Sequence, residues 1–139
     1  MAGNPTTTAA ADALDYFVGR AVAKTTPYST YVALLTSAPP NNATIAQLAE
    51  VNTPGYARQL VSWAPASAAV PSTTSNTNVL TFGPVTADMA AQATHAALVT
   101  AQVGTTGEVR EVWTLDTPQQ AVNGQALQMG ANKLTLSLG

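Results

Sequence analysis

Tyr31-Val32-Ala33-Leu34-Leu35 is an unbroken apolar run, bracketed by Thr30 and Thr36 and closed by Ser37-Ala38-Pro39-Pro40. A run this short, ended by prolines, reads as a β-strand covered on both faces. Alternation sends Tyr31, Ala33 and Leu35 to one face and Val32 and Leu34 to the other. Two apolar faces need two covering layers. The candidates flank the run in the chain: a helix before it, expected over one face, and a series of weaker strands after it, expected over the other.

The helix is expected from Thr8, or slightly earlier, to Lys24. Leu14, Phe17, Val18, Ala21 and Val22 recur at the spacing of a single apolar stripe. Asp12 and Asp15 fall towards its start and Arg20 and Lys24 towards its end, a distribution that suits the helix dipole. Thr8, or Asn4 followed by Pro5, is the candidate cap. Gly19 inside such a helix costs about 1 kcal/mol relative to alanine, which points to a close approach by another backbone. Thr25-Thr26-Pro27 ends the helix, since the residue before a proline is pushed out of helical geometry. Residues 1–8 read as a small polar arm, expected to be held by a neighbouring subunit, and residues 9–139 as a single β-rich domain.

Beyond the central run, Ser37 to Asn42 is a loop by composition. Thr44 to Glu50 suits one short helical turn, with Ile45, Leu48 and Ala49 facing inward. Thr53-Pro54-Gly55 has proline and glycine in the order of a type II turn. Strands are expected over Tyr56 to Trp63, Val79 to Phe82, His95 to Ala101 and Val109 to Leu115, with Gly104 to Gly107 as the hairpin loop between the last two. A final strand is expected over Asn132 to Leu138, where Leu134, Leu136 and Leu138 alternate inward. Ala64 to Asn78, rich in Ala, Ser and Thr, reads as an exposed excursion. The fold class is therefore mainly β: an antiparallel β-sandwich or barrel-like domain with one N-terminal amphipathic helix. Its expected core is Leu14, Phe17, Val18, Tyr31, Ala33, Leu34, Leu35, Tyr56, Trp63, Phe82, Trp113, Leu134 and Leu136.

Charge is the compositional anomaly. Only 9% of the 139 residues are charged, against about 25% in a typical soluble domain. The surface must be built largely from Thr, Ser, Asn, Gln and Ala. Few long side chains then have to be immobilised when a partner covers it, so association costs comparatively little. That favours a protein packed against neighbours. The five basic residues, Arg20, Lys24, Arg58, Arg110 and Lys133, are scattered, so a phosphate-binding face and nucleic-acid binding are not expected. With no cysteine, disulfides, thiolate catalysis and zinc–thiolate sites are excluded. No apolar run approaches the roughly 18 residues of a membrane span, so no membrane partner is expected. No basic-then-apolar leader is visible, which suggests synthesis in a host cytoplasm.

Catalytic signatures are missing. A Ser-His-Asp triad would need His95, the one histidine, but no Gly-x-Ser-x-Gly elbow singles out a serine. Asp88 and His95 form the nearest carboxylate–imidazole pair, which is too little for a metal site. Glu108 and Glu111 suggest a glycosidase pair only if a bulge brings them to one face. Trp63 and Trp113 suit core or inter-subunit anchors better than sugar platforms. No catalytic residue, cofactor or metal ligand is assigned, and an enzyme is not expected.

The ordered series of motifs resembles a family of small virion proteins of tailed bacteriophages. Its members are labelled tail fibre or minor tail proteins, and relatives serve as capsid decoration or minor capsid proteins. The likeness runs from the helix through Tyr31 to Thr36, Glu50-Val51 and Gly55-Tyr56-Ala57-Arg58-Gln59, the most specific piece. It continues through Leu80-Thr81-Phe82-Gly83-Pro84-Val85-Thr86-Ala87-Asp88, Val112-Trp113 with Leu115, Thr117-Pro118, Asn123-Gly124-Gln125 and Leu134-Thr135-Leu136. The loop from Pro39 to Ala49 departs by lacking a glycine-rich acidic stretch, and Ala64 to Asn78 by its Ala/Ser content. The resemblance implies a virion structural protein. Together with the low charge and the lack of fibrous repeats, it leads to the expectation of a capsid decoration (cement) or minor capsid protein. Such a protein would bind the major capsid protein on the capsid surface, as a homotrimer or other homo-oligomer. A tail-associated component, minor tail or fibre, is the alternative. Expected assembly contacts are Met1, Ala2, Gly3, Asn4, Pro5 and Thr6 of the arm, Pro39, Pro40, Asn41 and Asn42 of one loop, and Pro71 and Ser72 of another.

Overall fold

A computed structural model describes residues 7–20 and 27–138. The order of elements is α1 (Thr7–Phe17), β1 (Thr30–Leu35), a 3-10 turn (Ile45–Gln47), β2 (Gln59–Val61), β3 (Ser72–Ser75), β4 (Leu80–Phe82), β5 (Ala93–Val99), β6 (Val109–Gln119), β7 (Leu127–Met129) and β8 (Thr135–Leu138). The fold is mainly β, with one helix and antiparallel pairing throughout the described registers. The sheets are open, one ordered β2-β1-β5-β6, the others β3-β8 and β4-β7, so the sandwich expectation holds and a closed barrel does not. The chain divides into two compact units. One is built from the described parts of Met1–Ser29, Val61–Val79 and Gly130–Gly139, the other from Thr30–Leu60 and Leu80–Met129.

In the second unit β1 is central, as its two-sided apolar run requires. It pairs with β5 from Tyr31 opposite Val99 to Leu35 opposite His95. On one face Leu35 packs with Ile45, Ala97 and Val99, and Tyr31, Leu48, Val109 and Val112 close over that cluster. Val32 and Leu34, on the other face, are also fully buried. The 3-10 turn falls where one helical turn is expected. It is closed by a capping box in which Gln47 reaches back to the Thr44 amide at 2.9 Å.

The first unit corrects several expectations. The elements that α1 packs against are β3 and β8, so the helix has its own sheet rather than a face of β1. The helix also ends at Phe17, not Lys24. Gly19 adopts φ +83°, and the Arg20 amide bonds the Asp15 carbonyl at 2.8 Å while the Gly19 amide bonds that of Tyr16 at 3.0 Å. This is a Schellman stop, which needs a residue free to turn left-handed. The close backbone approach expected at Gly19 is real, because a Cβ there would collide with the Tyr28 carbonyl. Asp15 therefore lies in the last turn, where the dipole disfavours it. It is held there by Arg20 at 3.2 Å and by the Ala66 amide at 2.8 Å. Thr8 lies inside the helix rather than capping it; Asn4, Pro5, Ala21, Val22 and Lys24 fall outside the described residues.

Ala64 to Asn78 is not an exposed excursion. It contains β3, and Ser72, Thr74 and Asn76 are among the most buried residues in the protein. Hydroxyls make this possible without long apolar side chains. Ser72 Oγ donates to the Ser67 carbonyl at 2.7 Å and Thr74 Oγ1 to that of Ala64 at 2.6 Å, so small polar groups enter the core already satisfied. β2 is only three residues, with Tyr56 outside it in a turn, and β7 was not expected at all. Leu14, Val18, Ala33, Leu34, Leu35, Trp63, Phe82, Leu134 and Leu136 are buried as expected, whereas Phe17, Tyr31, Tyr56 and Trp113 are half-buried. Leu138, expected inward, is 43% exposed.

Candidate functional site

In the second unit the stretch from Glu50 to Arg58 forms a connected set of polar contacts. Glu50 is brought beside β1 by a bridge to Leu35. The chain then reverses through Thr53-Pro54-Gly55, where Tyr56 N–H bonds the Thr53 carbonyl at 3.0 Å and Gly55 takes φ +91°, as a type II turn requires. A Cβ on Gly55 would strike the Pro84 carbonyl. The turn aims Tyr56 at β1, where its hydroxyl accepts from the Leu34 amide at 2.9 Å and donates to Glu50 Oε2 at 2.8 Å. Its ring stacks on Phe82, with centroids 6.1 Å apart and planes 10° from parallel.

Arg58 completes the arrangement. It grips Glu50 through two parallel bonds, Nη2 to Oε1 at 2.8 Å and Nε to Oε2 at 2.9 Å, and gives Nη1 to the Ala101 carbonyl at 3.0 Å. The Arg58 side chain is 8% exposed and that of Glu50 23%. Such a forked pair, with the third nitrogen bonded as well, is the geometry in which a buried charge is tolerated. Burial first, and the Glu50 carboxylate second, push the Tyr56 phenol far above its ordinary value. The hydrogen bond to Glu50 raises Arg58 further. Neither group is poised to move a proton near neutral pH. These residues are arranged to hold three backbone segments, at Leu34, Glu50 and Ala101, in one register.

Beside Glu50 opens a cavity of about 280 Å³ lined by Thr36, Glu50, Val51, Asn52, Thr53, Pro54, Asp88, Ala90 and Ala91. One of its two carboxylates is bound to Arg58 and Tyr56, and Asp88 Oδ1 accepts from the Asn123 amide at 2.8 Å. His95 Nδ1 lies 2.8 Å from Thr94 Oγ1. A bulge does intervene between Glu108 and Glu111, at Arg110. The two carboxylates nevertheless have separate tasks: Glu108 pairs with Arg110 at 3.2 Å, and Glu111 accepts from the Val112 amide at 3.1 Å. Among the described residues no group of three or more His, Asp or Glu is placed to hold a metal ion.

Residues 4–137 match the family model for podophage GP4 fiber I protein gp80. The chain belongs to that family. It is thus a structural protein of a tailed-phage virion. No curated protein matches the sequence. In this member of the gp80 fibre family, the most specific stretch of the resemblance, Gly55 to Gln59 with Glu50, is the lock just described. It marks the fold rather than an exposed site.

Of the expected contact residues, Met1, Ala2, Gly3, Asn4, Pro5 and Thr6 fall outside the described residues. Pro40, Asn41 and Asn42 are exposed on one loop, with Pro39 half-buried beside them and Asn42 at φ +59°. Pro71 is exposed. Ser72 is fully buried at the start of β3, where its hydroxyl is spent on Ser67, so it is a core residue and not a contact. Sequence reasoning also missed Asn76, the organising residue of the first unit. It is fully buried and donates to the carbonyls of Asn78 at 2.9 Å and Gly130 at 3.0 Å, while its Oδ1 accepts from the Leu134 amide at 2.9 Å. Nothing local distinguishes it from the other asparagines, because two of its three partners, Gly130 and Leu134, lie more than fifty residues away in the chain.

Proposed function

We propose that this chain is a non-catalytic building block of the virion's fibre apparatus, working by association with other virion chains. The observation that carries the reading is the match over residues 4–137 to a family described as a fibre protein. The structure supports it in two ways. The most distinctive polar residues, Glu50, Tyr56 and Arg58, bond to one another and to backbone, as parts of a scaffold do. The surface has few charges to desolvate, so contact with a neighbouring subunit is inexpensive. The family's description moves the favoured location from the capsid surface, expected from the resemblance together with the low charge and the lack of fibrous repeats, to a fibre. We further propose a homo-oligomer whose contacts include the loop at Pro39 to Asn42 and the exposed Pro71.

Antibody labelling of intact particles, combined with quantitative mass spectrometry of copy number against the major capsid protein, tests the location. The expected result is label confined to fibres and a copy number far below that of the capsid protein. Label spread over the head, with copies in proportion to capsomers, would instead make the chain a decoration protein bound to the major capsid protein.

A further inference from the structure

Among the described residues β6 is the longest strand and an edge strand: in the order β2-β1-β5-β6 its one neighbour is β5. The register tells which of its amides face outward. On β1, the Leu34 amide bonds Tyr56 and its carbonyl accepts from Val51. Leu34 thus points away from β5, and Ala33 and Leu35 point towards it. Their partners on β5, Ala97 and His95, are spent on β1, which leaves Ala96 and Leu98 to bond β6. Those two stand opposite Trp113 and Glu111. Between them, the amide of Val112 must face the open side. It is taken by the strand's own carboxylate, Glu111 Oε1, at 3.1 Å.

The rest of the strand is irregular on either side of that point. Register slips at Arg110: Leu98 stands opposite Glu111 but the next residue, Val99, stands opposite Val109. It slips again further on, where β5 advances two residues from Ala93 to His95 while β6 advances five from Thr114 to Gln119. Pro118, in that second slip, has no N–H to give. Charge gathers here as well. Glu108, Arg110, Glu111 and Asp116 are four of the chain's twelve charged residues (five basic plus seven acidic), and they fall within positions 108–116.

We infer that the outer edge of β6 is closed to strand addition by a second copy of this chain, and that Glu111 is the residue that closes it. An open edge is a template for pairing, and bulges, charges and proline are the means by which sheets prevent it. A net charge of −2 gives little overall repulsion between copies, so the protection has to be local. Copies of the chain therefore meet through surfaces other than this edge. The inference does not depend on where in the virion the protein sits.

Sedimentation velocity over a concentration series, with hydrogen exchange on residues 109–116, tests this. Glu111→Ala uncaps the Val112 amide and is expected to self-associate roughly tenfold more tightly than the wild type, the scale of one lost charge-assisted hydrogen bond. In the larger species the β6 amides are expected to exchange more slowly. Glu111→Gln keeps an acceptor for Val112 and is expected to sediment as the wild type. Pro118→Thr, which restores a donor in the slipped segment, is expected to shift in the same direction as Glu111→Ala and gives a second route should that variant not fold. A folded Glu111→Ala that sediments as the wild type overturns the inference; should that variant not fold, Pro118→Thr sedimenting as the wild type overturns it. Larger species whose β6 amides exchange as fast as in the wild type overturn it too.

Discussion

Single residues in this protein matter mostly through the backbone groups they satisfy. Arg58 is nearly buried, and among the described residues Glu50 is the carboxylate that compensates its charge. Glu50→Ala leaves that guanidinium uncompensated and should cost about 3–5 kcal/mol, read as a lowered urea midpoint at unchanged slope. Tyr56→Phe removes the acceptor for Leu34 N–H and a donor to Glu50, for an expected loss of about 1–3 kcal/mol at neutral pH. Its pH dependence is more diagnostic. The folded phenol titrates well above the unfolded value of about 10, so above that pH the unfolded chain has lost a proton that the folded chain keeps. Wild-type stability should therefore be level with respect to this group below pH 10 and fall as pH rises beyond it. Tyr56→Phe should lack that part of the alkaline decline. An unchanged decline in urea titrations at pH 9 to 11 would contradict the burial of this hydroxyl.

At the scale of elements, helix length shows how a local rule loses to geometry. The apolar stripe continues past Gly19 in the sequence, but the chain turns left-handed there and the Tyr28 carbonyl occupies the space a side chain would need. Gly19→Ala should destabilise by more than 1 kcal/mol, combining a positive φ with a steric collision. Thermal melts should show it as a lower midpoint. The strands were legible where they were apolar and continuous: β1, β4 and most of β5 and β6 lie where periodicity put them. β3 and β7 were not legible. Ser72-Thr73-Thr74-Ser75 has the composition of a loop, and it becomes a core strand only because backbone carbonyls nearby accept its hydroxyls. Leu127-Gln128-Met129 is too short for a pattern and exists by pairing with β4.

The whole molecule is assembled from distant segments. The first unit draws its helix from the start of the chain, β3 from the middle and β8 from the end. The Asn76 bonds to Gly130 and Leu134 fasten the last two. Removing residues 130–139 strips β8 and leaves Asn76 with buried polar groups unmet, at about 1–3 kcal/mol each. The truncated chain is expected to lose the structure of that unit, α1 included, while the Leu34–Tyr56–Glu50 lock persists. Limited proteolysis checks this: cleavage between Val61 and Val79 should become fast, with Thr30–Leu60 and Leu80–Met129 protected.

The sequence by itself determined the class of fold, the two-faced central strand, the turn at Thr53-Pro54-Gly55 and, through Gly55 to Gln59, the kind of protein this is. These are readable because hydrophobic period, turn chemistry and short motifs act within a few residues of chain. Only the tertiary structure decided what the motif is for, which small polar residues become core, which sheet the helix covers and that β6 has a closed edge. Those outcomes rest on hydrogen bonds between segments tens of residues apart, such as Tyr56 to Leu34, Arg58 to Ala101 and Asn76 to Leu134. The energy of such a bond depends on burial and alignment supplied by the rest of the fold, and no local pattern encodes either.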